Sequence, residues 1–126
     1  MRLLLDTATF IWAVISPERL SKTAVNVLKS EETERELSTL SLSEVAIKQA
    51  KGKLRFSRAE VRSGISDLRV RLLPYGLAHA YQLFDLPLQH TDPFDRMIIA
   101  QALAEDIPVV TSDDKFRLYK DLKVIW

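Results

Sequence analysis

The sequence predicts a single α/β domain: a central, mostly parallel sheet of about four to five strands, with helices on both faces. Three observations point there. Short apolar runs, Leu3-Leu4-Leu5 and Val109-Val110, are too brief and too continuous to be anything but buried strands. Stretches with helical apolar spacing separate them, which implies right-handed crossovers and a parallel sheet. With 126 residues, 47% of them apolar and 28% charged, the chain has the size and composition of one ordinary globular domain.

The elements follow in order. Leu3–Leu5 is a central strand ended by Asp6. Thr7–Ile15 is a helix with Phe10, Ile11, Val14 and Ile15 inward, and Pro17 marks its break. At this junction Asp6 serves either as the helix N-cap or as a site carboxylate. Ser21 opens a second helix with Ala24, Val25 and Leu28 inward. Residues 31–36, rich in glutamate, read as a solvated acidic turn before a strand at Leu37–Leu40. Ser41 or Ser43 caps a third helix carrying Leu42, Val45, Ala46 and Ala50 on one side, with Glu44 in its first turn. Glu44 and Lys48 are four apart, the spacing of a surface ion pair. Ser57 starts a fourth helix with Val61, Ile65 and Leu68 inward. Val70–Leu73 before Pro74 is a strand near an edge. Leu77–Phe84 is a fifth helix, closed by Pro87.

Residues 90–116 organise the rest. Asp92 caps a helix, Pro93 suits its first position and Asp95 its third; Met97, Ile98, Ala100, Ala102 and Leu103 form its apolar face. Asp106 ends it. After Val109-Val110, Thr111-Ser112-Asp113-Asp114 lies at a strand's carboxyl end, the edge where open α/β sheets bind ligands. A short helix over Lys115–Tyr119 and a last strand over Val124–Trp126 complete the chain.

Composition narrows the chemistry. The net charge of +1 leaves any basic surface local, and the absence of cysteine removes disulfides, thiolate ligands and thiol nucleophiles. Nothing approaches a membrane span, and the first apolar run meets Asp6 too early for a signal peptide. A cytoplasmic location and no membrane partner are expected. His79 and His90 form no HxH or HExxH pair, so a histidine zinc site is not expected, and His79 reads as a packing or surface residue.

The fold places Asp6 and Asp113 on one edge of the sheet, with the helix starts carrying Glu44 and Asp95 opening onto it. Separately, Asp95 is equally a helix-dipole partner and Asp113 a cap. Together, four crowded carboxylates need a cation. With no His or Cys near them the ligands are hard oxygens, which suits Mg2+ or Mn2+. The chemistry that follows is phosphodiester hydrolysis by in-line attack of water. Lys48, Lys51, Lys53, Arg55, Arg58 and Arg62, opposed only by Glu60, form either a solvated face or a phosphate track.

The motif His90-x-Asp92-Pro93-Phe94-Asp95-Arg96, with Ile98-x-Ala100-Gln101-Ala102 and Thr111-x-Asp113-x-x-Phe116, resembles the PIN-domain ribonucleases. Within them the likeness is to the VapC-type toxins of bacterial toxin–antitoxin pairs. Leu5-Asp6-Thr7 and Glu44-Val45-Ala46-Ile47-Lys48 with Gly52-Lys53-Leu54 extend the likeness over nearly the whole chain, and both histidines match positions that frame the third acidic motif. Ser43 departs from it, since these toxins usually carry Trp before the Glu. The resemblance implies one PIN-like nuclease domain over residues 1–126, cutting tRNA, rRNA or mRNA. It implies an acidic set of Asp6, Glu44, Asp95 and Asp113, with Asp6 and Asp95 as direct ligands and Asp113 completing a second site or orienting water. Asp92 and Asp114 are neighbouring acids, Thr111 a supporting hydroxyl, and Arg96 a phosphate contact or a surface ion pair. Lys48, Lys51, Lys53 and Arg55 are the RNA-binding candidates. A cognate antitoxin and a homodimer are implied as partners; Phe10, Trp12 and the helix around Val45 serve such partners or the core. Two other readings remain. A haloacid-dehalogenase-like phosphatase would use Asp6 as nucleophile, but needs an acid where Ala8 stands; a catalytically weak PIN-like module would bind RNA or protein only.

Overall fold

The computed structural model describes all residues, 1–126. Five strands form one sheet, in the order β3-β2-β1-β4-β5, every pair parallel. They are β1 (Arg2–Leu5), β2 (Glu34–Ser38), β3 (Arg71–Leu73), β4 (Val109–Val110) and β5 (Val124–Ile125). The helices are α1 (Thr7–Ile15), α2 (Lys22–Lys29), α3 (Thr39–Ala50), α4 (Arg58–Asp67), α5 (Leu77–Phe84) and α6 (Pro93–Glu105); 3-10 helices cover Pro17–Arg19 and Asp114–Leu118. No helix is long and apolar enough to cross a membrane.

Strand alternation divides the core in two. Leu3, Leu5, Leu37 and Val110 face Phe10, Val45, Phe56 and Val61 on one side. Leu4 and Val109 face Ile98, Ile99, Ala102 and Phe116 on the other. The register aligns Leu5 with both Leu37 and Val110. Asp6, Ser38 and Thr111 therefore emerge side by side at the carboxyl edge. The chain runs from β1 outward through β2 to β3, then returns to β4 on β1's other side. The switch in direction between β1 and β4 opens the crevice in which such sheets bind ligands.

Several boundaries differ from the sequence reading. β2 begins at Glu34, inside the stretch expected to be a solvated turn. Glu36 pairs with Leu4 in register, is buried, and is held by Nε and Nη2 of Arg2, so strand pairing and an ion pair override its polarity. Helix α3 starts directly after that strand, capped by Ser38 rather than Ser41 or Ser43, with the Ser38 hydroxyl accepting from the Leu40 amide at 3.1 Å. Glu44 consequently lies in the second turn. In α1, Ile15 is exposed while Thr7 and Thr9 are buried, the hydroxyls being used at the crevice. In α2, Val27 rather than Val25 packs on the core. In α3, Ala46 and Ala50 are exposed. The last helix is a 3-10 turn capped by Asp113, and β3 is an edge strand as Pro74 implied.

Candidate active site

β1 delivers Asp6 into the crevice, where it is 5% exposed. One carboxylate oxygen accepts from the Thr9 amide at 2.8 Å, the N-cap bond of α1. The other accepts from the Thr111 hydroxyl at 2.6 Å. Asp6 is thus both a cap and a site carboxylate. Burial pushes its pKa up against the lowering effect of these bonds, and the charge of Asp113 adds to the rise. With both oxygens engaged and no acid at Ala8, Asp6 lacks the setting of a phosphatase nucleophile.

Glu44 enters from α3, also 5% exposed. Its Oε1 accepts from the Thr7 hydroxyl at 2.7 Å, and Thr7 Oγ1 is 2.9 Å from Ser41 Oγ. Its Oε2 accepts from Lys48 Nζ at 2.7 Å. The ion pair expected from the spacing is real, but it joins a buried acid to a half-exposed base facing the crevice. The Lys48 pKa is raised by its bond to Glu44 first, and also by the charges of Asp92 and Asp95. Ser43 is exposed, and the Glu44 carboxylate is seated by Thr7 and Lys48.

The start of α6 supplies Asp92 and Asp95. The Asp92 carboxylate accepts from the Asp95 amide at 3.0 Å, and Pro93 fills the first helical position. Asp95 has a pKa raised to about 8, by burial first and then by the charges of Asp92, Asp6, Glu44 and Asp113. Every acid of the expected set therefore bears on Asp95. Asp113 accepts from the Lys115 amide at 3.0 Å, and its own amide donates to Thr111 Oγ1 at 3.0 Å.

One residue corrects the expectation that no histidine lies near the acids. His90, 4% exposed, places Nε2 2.9 Å from Asp113 Oδ2 and 3.1 Å from Asp95 Oδ2. The loop before α6 folds back onto Phe116, which meets the imidazole edge-on at 5.6 Å. Spacing rules for metal histidines look for a second histidine, so they pass over one that meets carboxylates from distant segments. Its place two residues before the Asp92 cap was the available signal. Thr7, Thr9 and Ser41 were missed too, being inconspicuous helix residues in sequence.

Other candidates lie elsewhere. Asp114 is exposed in the 3-10 helix, with no side-chain partner. Arg96 makes no ion pair: its guanidinium donates to the carbonyls of Pro87, His90 and Leu86 at 3.0–3.3 Å, bracing the loop that carries His90. Lys51, Lys53 and Arg55 are exposed without carboxylate partners. His79, in α5, is buried against the far end of α6, hydrogen-bonded to Glu105 at 2.9 Å. Phe10 is core, and Trp12 packs on Trp126 under the Arg19 guanidinium.

The donor set suits a divalent cation. Ligand atoms of His90, Asp95 and Asp113 lie within 4.8 Å of one another, with Asp6 and Glu44 close enough to bear on Asp95 electrostatically. Such crowded carboxylates raise one another's pKa until a cation neutralises them.

The PIN domain family model matches residues 3–122 of this chain. No curated protein sequence matches it. Among solved structures, the chain is similar to one from VapBC2 of Rickettsia felis, bound to a DNA fragment from its promoter, with 17% identity, TM-score 0.76, and 98% of this chain and 97% of that one covered. VapBC-1 from nontypeable Haemophilus influenzae gives 19% identity and TM-score 0.69, covering 98% and 96%. VapBC-5 from Mycobacterium tuberculosis, of the VapBC family of toxin-antitoxin systems, gives 16% and 0.66, with the same coverage.

Proposed function

The chain belongs to the PIN-domain family, and on that footing we propose that it is a metal-dependent endoribonuclease, the toxin of a toxin–antitoxin pair. The observation that carries this is the convergence of Asp6, Glu44 and Asp113, from three other segments, on the start of α6 with its Asp92 and Asp95; burial first, and then these charges, raise the Asp95 pKa to about 8. Asp6, Asp92 and Asp113 also cap helices and Glu44 pairs with Lys48, but those roles do not require the acids to face one another, and their mutual repulsion costs stability. Asp6, Asp95 and Asp113 are the carboxylates that would hold Mg2+ or Mn2+, with Glu44 beside them. When bound, the cation activates water and stabilises charge on the phosphate oxygens of an RNA backbone.

The chain's own groups divide the remaining work. Thr111 and Thr9 fix the direction of Asp6. Lys48 holds Glu44 and adds a positive charge at the mouth of the crevice. Lys51, Lys53 and Arg55 supply exposed cations for backbone phosphates leading to it.

Two surfaces support the partners. A largely apolar groove of about 540 Å³ runs between α3 and α4, lined by Leu42, Val45, Ala46, Ala50, Phe56 and Val61. It fits the apolar face of an antitoxin segment, and its α3 wall also carries Glu44. On α5, Leu77, Tyr81 and Phe84, at i, i+4 and i+7, are 72%, 64% and 86% exposed, and the helix carries no Asp, Glu, Lys or Arg. That stripe suits a homodimer contact.

The test is controlled expression in bacteria. Growth arrest with discrete new fragments in total RNA, absent for Asp95→Asn at equal protein level, is the expected result. Unimpeded growth with intact RNA on expression of folded wild type overturns the reading.

A further inference from the structure

The loop 85–92 presents His90 to the acids in a fixed orientation. Its amide donates to Tyr119 Oη at 2.8 Å, its carbonyl accepts from Arg96 at 3.3 Å, and its ring lies edge-on to Phe116. The decisive contact is at Nδ1, which accepts from the Asp92 amide at 3.1 Å. A ring nitrogen that accepts an N–H carries no proton, so the hydrogen-bond network assigns the proton to Nε2. Nε2 faces Asp113 Oδ2 and Asp95 Oδ2 at 2.9 and 3.1 Å and is a shared donor to both.

By residue type alone, one histidine and two aspartates within 4.8 Å are a set that zinc favours. Zinc ligation needs a bare nitrogen. Baring Nε2 would move the proton to Nδ1, where it would confront the Asp92 N–H across 3.1 Å. The backbone amide of Asp92 therefore reserves Nε2 as a donor. A lysine or arginine in this place would align the carboxylates equally well, but its charge would compete with the cation. A histidine whose Nδ1 accepts from a backbone amide aligns them through Nε2–H alone.

Resting on the metal-dependent reading above, we propose that His90 is a positioning residue: locked by the Asp92 amide, it aims Asp95 and Asp113 at a common point and withholds its own nitrogen from the cation. The site is thereby left to oxygen ligands and to hard cations. Sequence spacing suggests a site free of histidine; the geometry gives one that contains a histidine and denies it to the metal.

The test reads metal binding and tautomer, without RNA. With only two histidines in the chain, long-range 1H–15N spectra of wild type and His90→Gln assign the His90 ring. The expected result is an Nε2–H tautomer that persists from the metal-free protein to Mg2+ saturation. Calorimetry with Mn2+ and Zn2+ then compares wild type, His90→Gln and His90→Ala, each checked for folding by circular dichroism. His90→Ala is expected to weaken both cations by a similar factor, about 10–100-fold, as loss of a group orienting ligands does. His90→Gln, which keeps an N–H donor, is expected to recover part of the loss. Movement of the ring proton on adding metal, or loss of zinc affinity far beyond that of manganese in His90→Ala, would make His90 a ligand and overturn the proposal. So would unchanged affinity for both cations in His90→Ala. Failure of wild type to bind either cation would instead overturn the metal-dependent reading itself.

Discussion

The Thr111 hydroxyl donates to Asp6 Oδ2 across 2.6 Å, tying the end of β4 to the end of β1 at the floor of the acidic crevice. Thr111 Oγ1 in turn accepts from the Asp113 amide at 3.0 Å. One hydroxyl thus sets the directions of two segments that carry acids.

Thr111→Val keeps the shape of the side chain and removes that hydroxyl. Asp6 loses one of its two supports and the Asp113 amide loses its acceptor. The expected stability cost is about 1–3 kcal/mol, read by urea denaturation. Affinity for Mn2+ is expected to fall about 10–100-fold, read by calorimetry.

The Asp95 pKa of about 8 makes stability depend on pH with a definite sign. Between the unfolded value of 3.8 and about 8, the native chain keeps a proton that the unfolded chain has released. Stability therefore falls as pH rises through this window, and Asp6, whose pKa is also raised, adds to the slope. In EDTA the melting temperature is expected to drop by several degrees between pH 5 and pH 8.5 (at roughly 4 °C per kcal/mol for a domain of this size). Asp95→Asn should flatten the decline. Saturating Mg2+ should offset it at high pH, adding about 2.7 kcal/mol at a hundredfold excess over Kd.

The far end of the sheet carries a separate prediction. Glu36 is 2% exposed, and Arg2 bridges it to Glu105, which also meets His79. Arg2→Met strands the Glu36 carboxylate. The expected cost is about 2 kcal/mol, below the roughly 3–5 kcal/mol of a fully buried pair because Arg2 is partly open to water. Cleavage per folded molecule should be unchanged, since the acidic crevice lies at the opposite edge.

Much of this arrangement was legible in the sequence because its signals were local. Asp92-Pro93 marked the start of α6, Ser57 the start of α4, and the continuous apolar run of β1 its burial on both faces. Glu36 was not legible: its place in β2 depends on an arginine 34 residues away. Ser38 was hidden as a cap because β2 passes into α3 with no intervening loop. His90 was seen as a motif residue, but its partners Asp95 and Asp113 reach it only through tertiary packing. The acids themselves had good local explanations as caps and ion pairs, and the structure retains those roles alongside their convergence.

Exposed cations predict how RNA is held. In Asp6→Asn, where the substrate stays intact, adding Lys53→Ala and Arg55→Ala should weaken binding to all single-stranded RNAs alike. The slope of log affinity against log salt should shrink by about 0.7 for each phosphate that is no longer neutralised. Fluorescence anisotropy over a salt series measures both.

Everything proposed for the acidic crevice depends on its hydrolysing RNA with a divalent cation. The most direct measurement incubates purified protein with a mixed tRNA and rRNA pool in Mg2+, Mn2+ or EDTA, comparing wild type with Asp6→Asn. The asparagine oxygen can still accept from the Thr9 amide, so the cap of α1 is kept while the charge is lost. Discrete fragments that require metal and disappear in Asp6→Asn are the predicted result. Identical RNA patterns for the two folded proteins in every condition would contradict a hydrolytic role for the crevice.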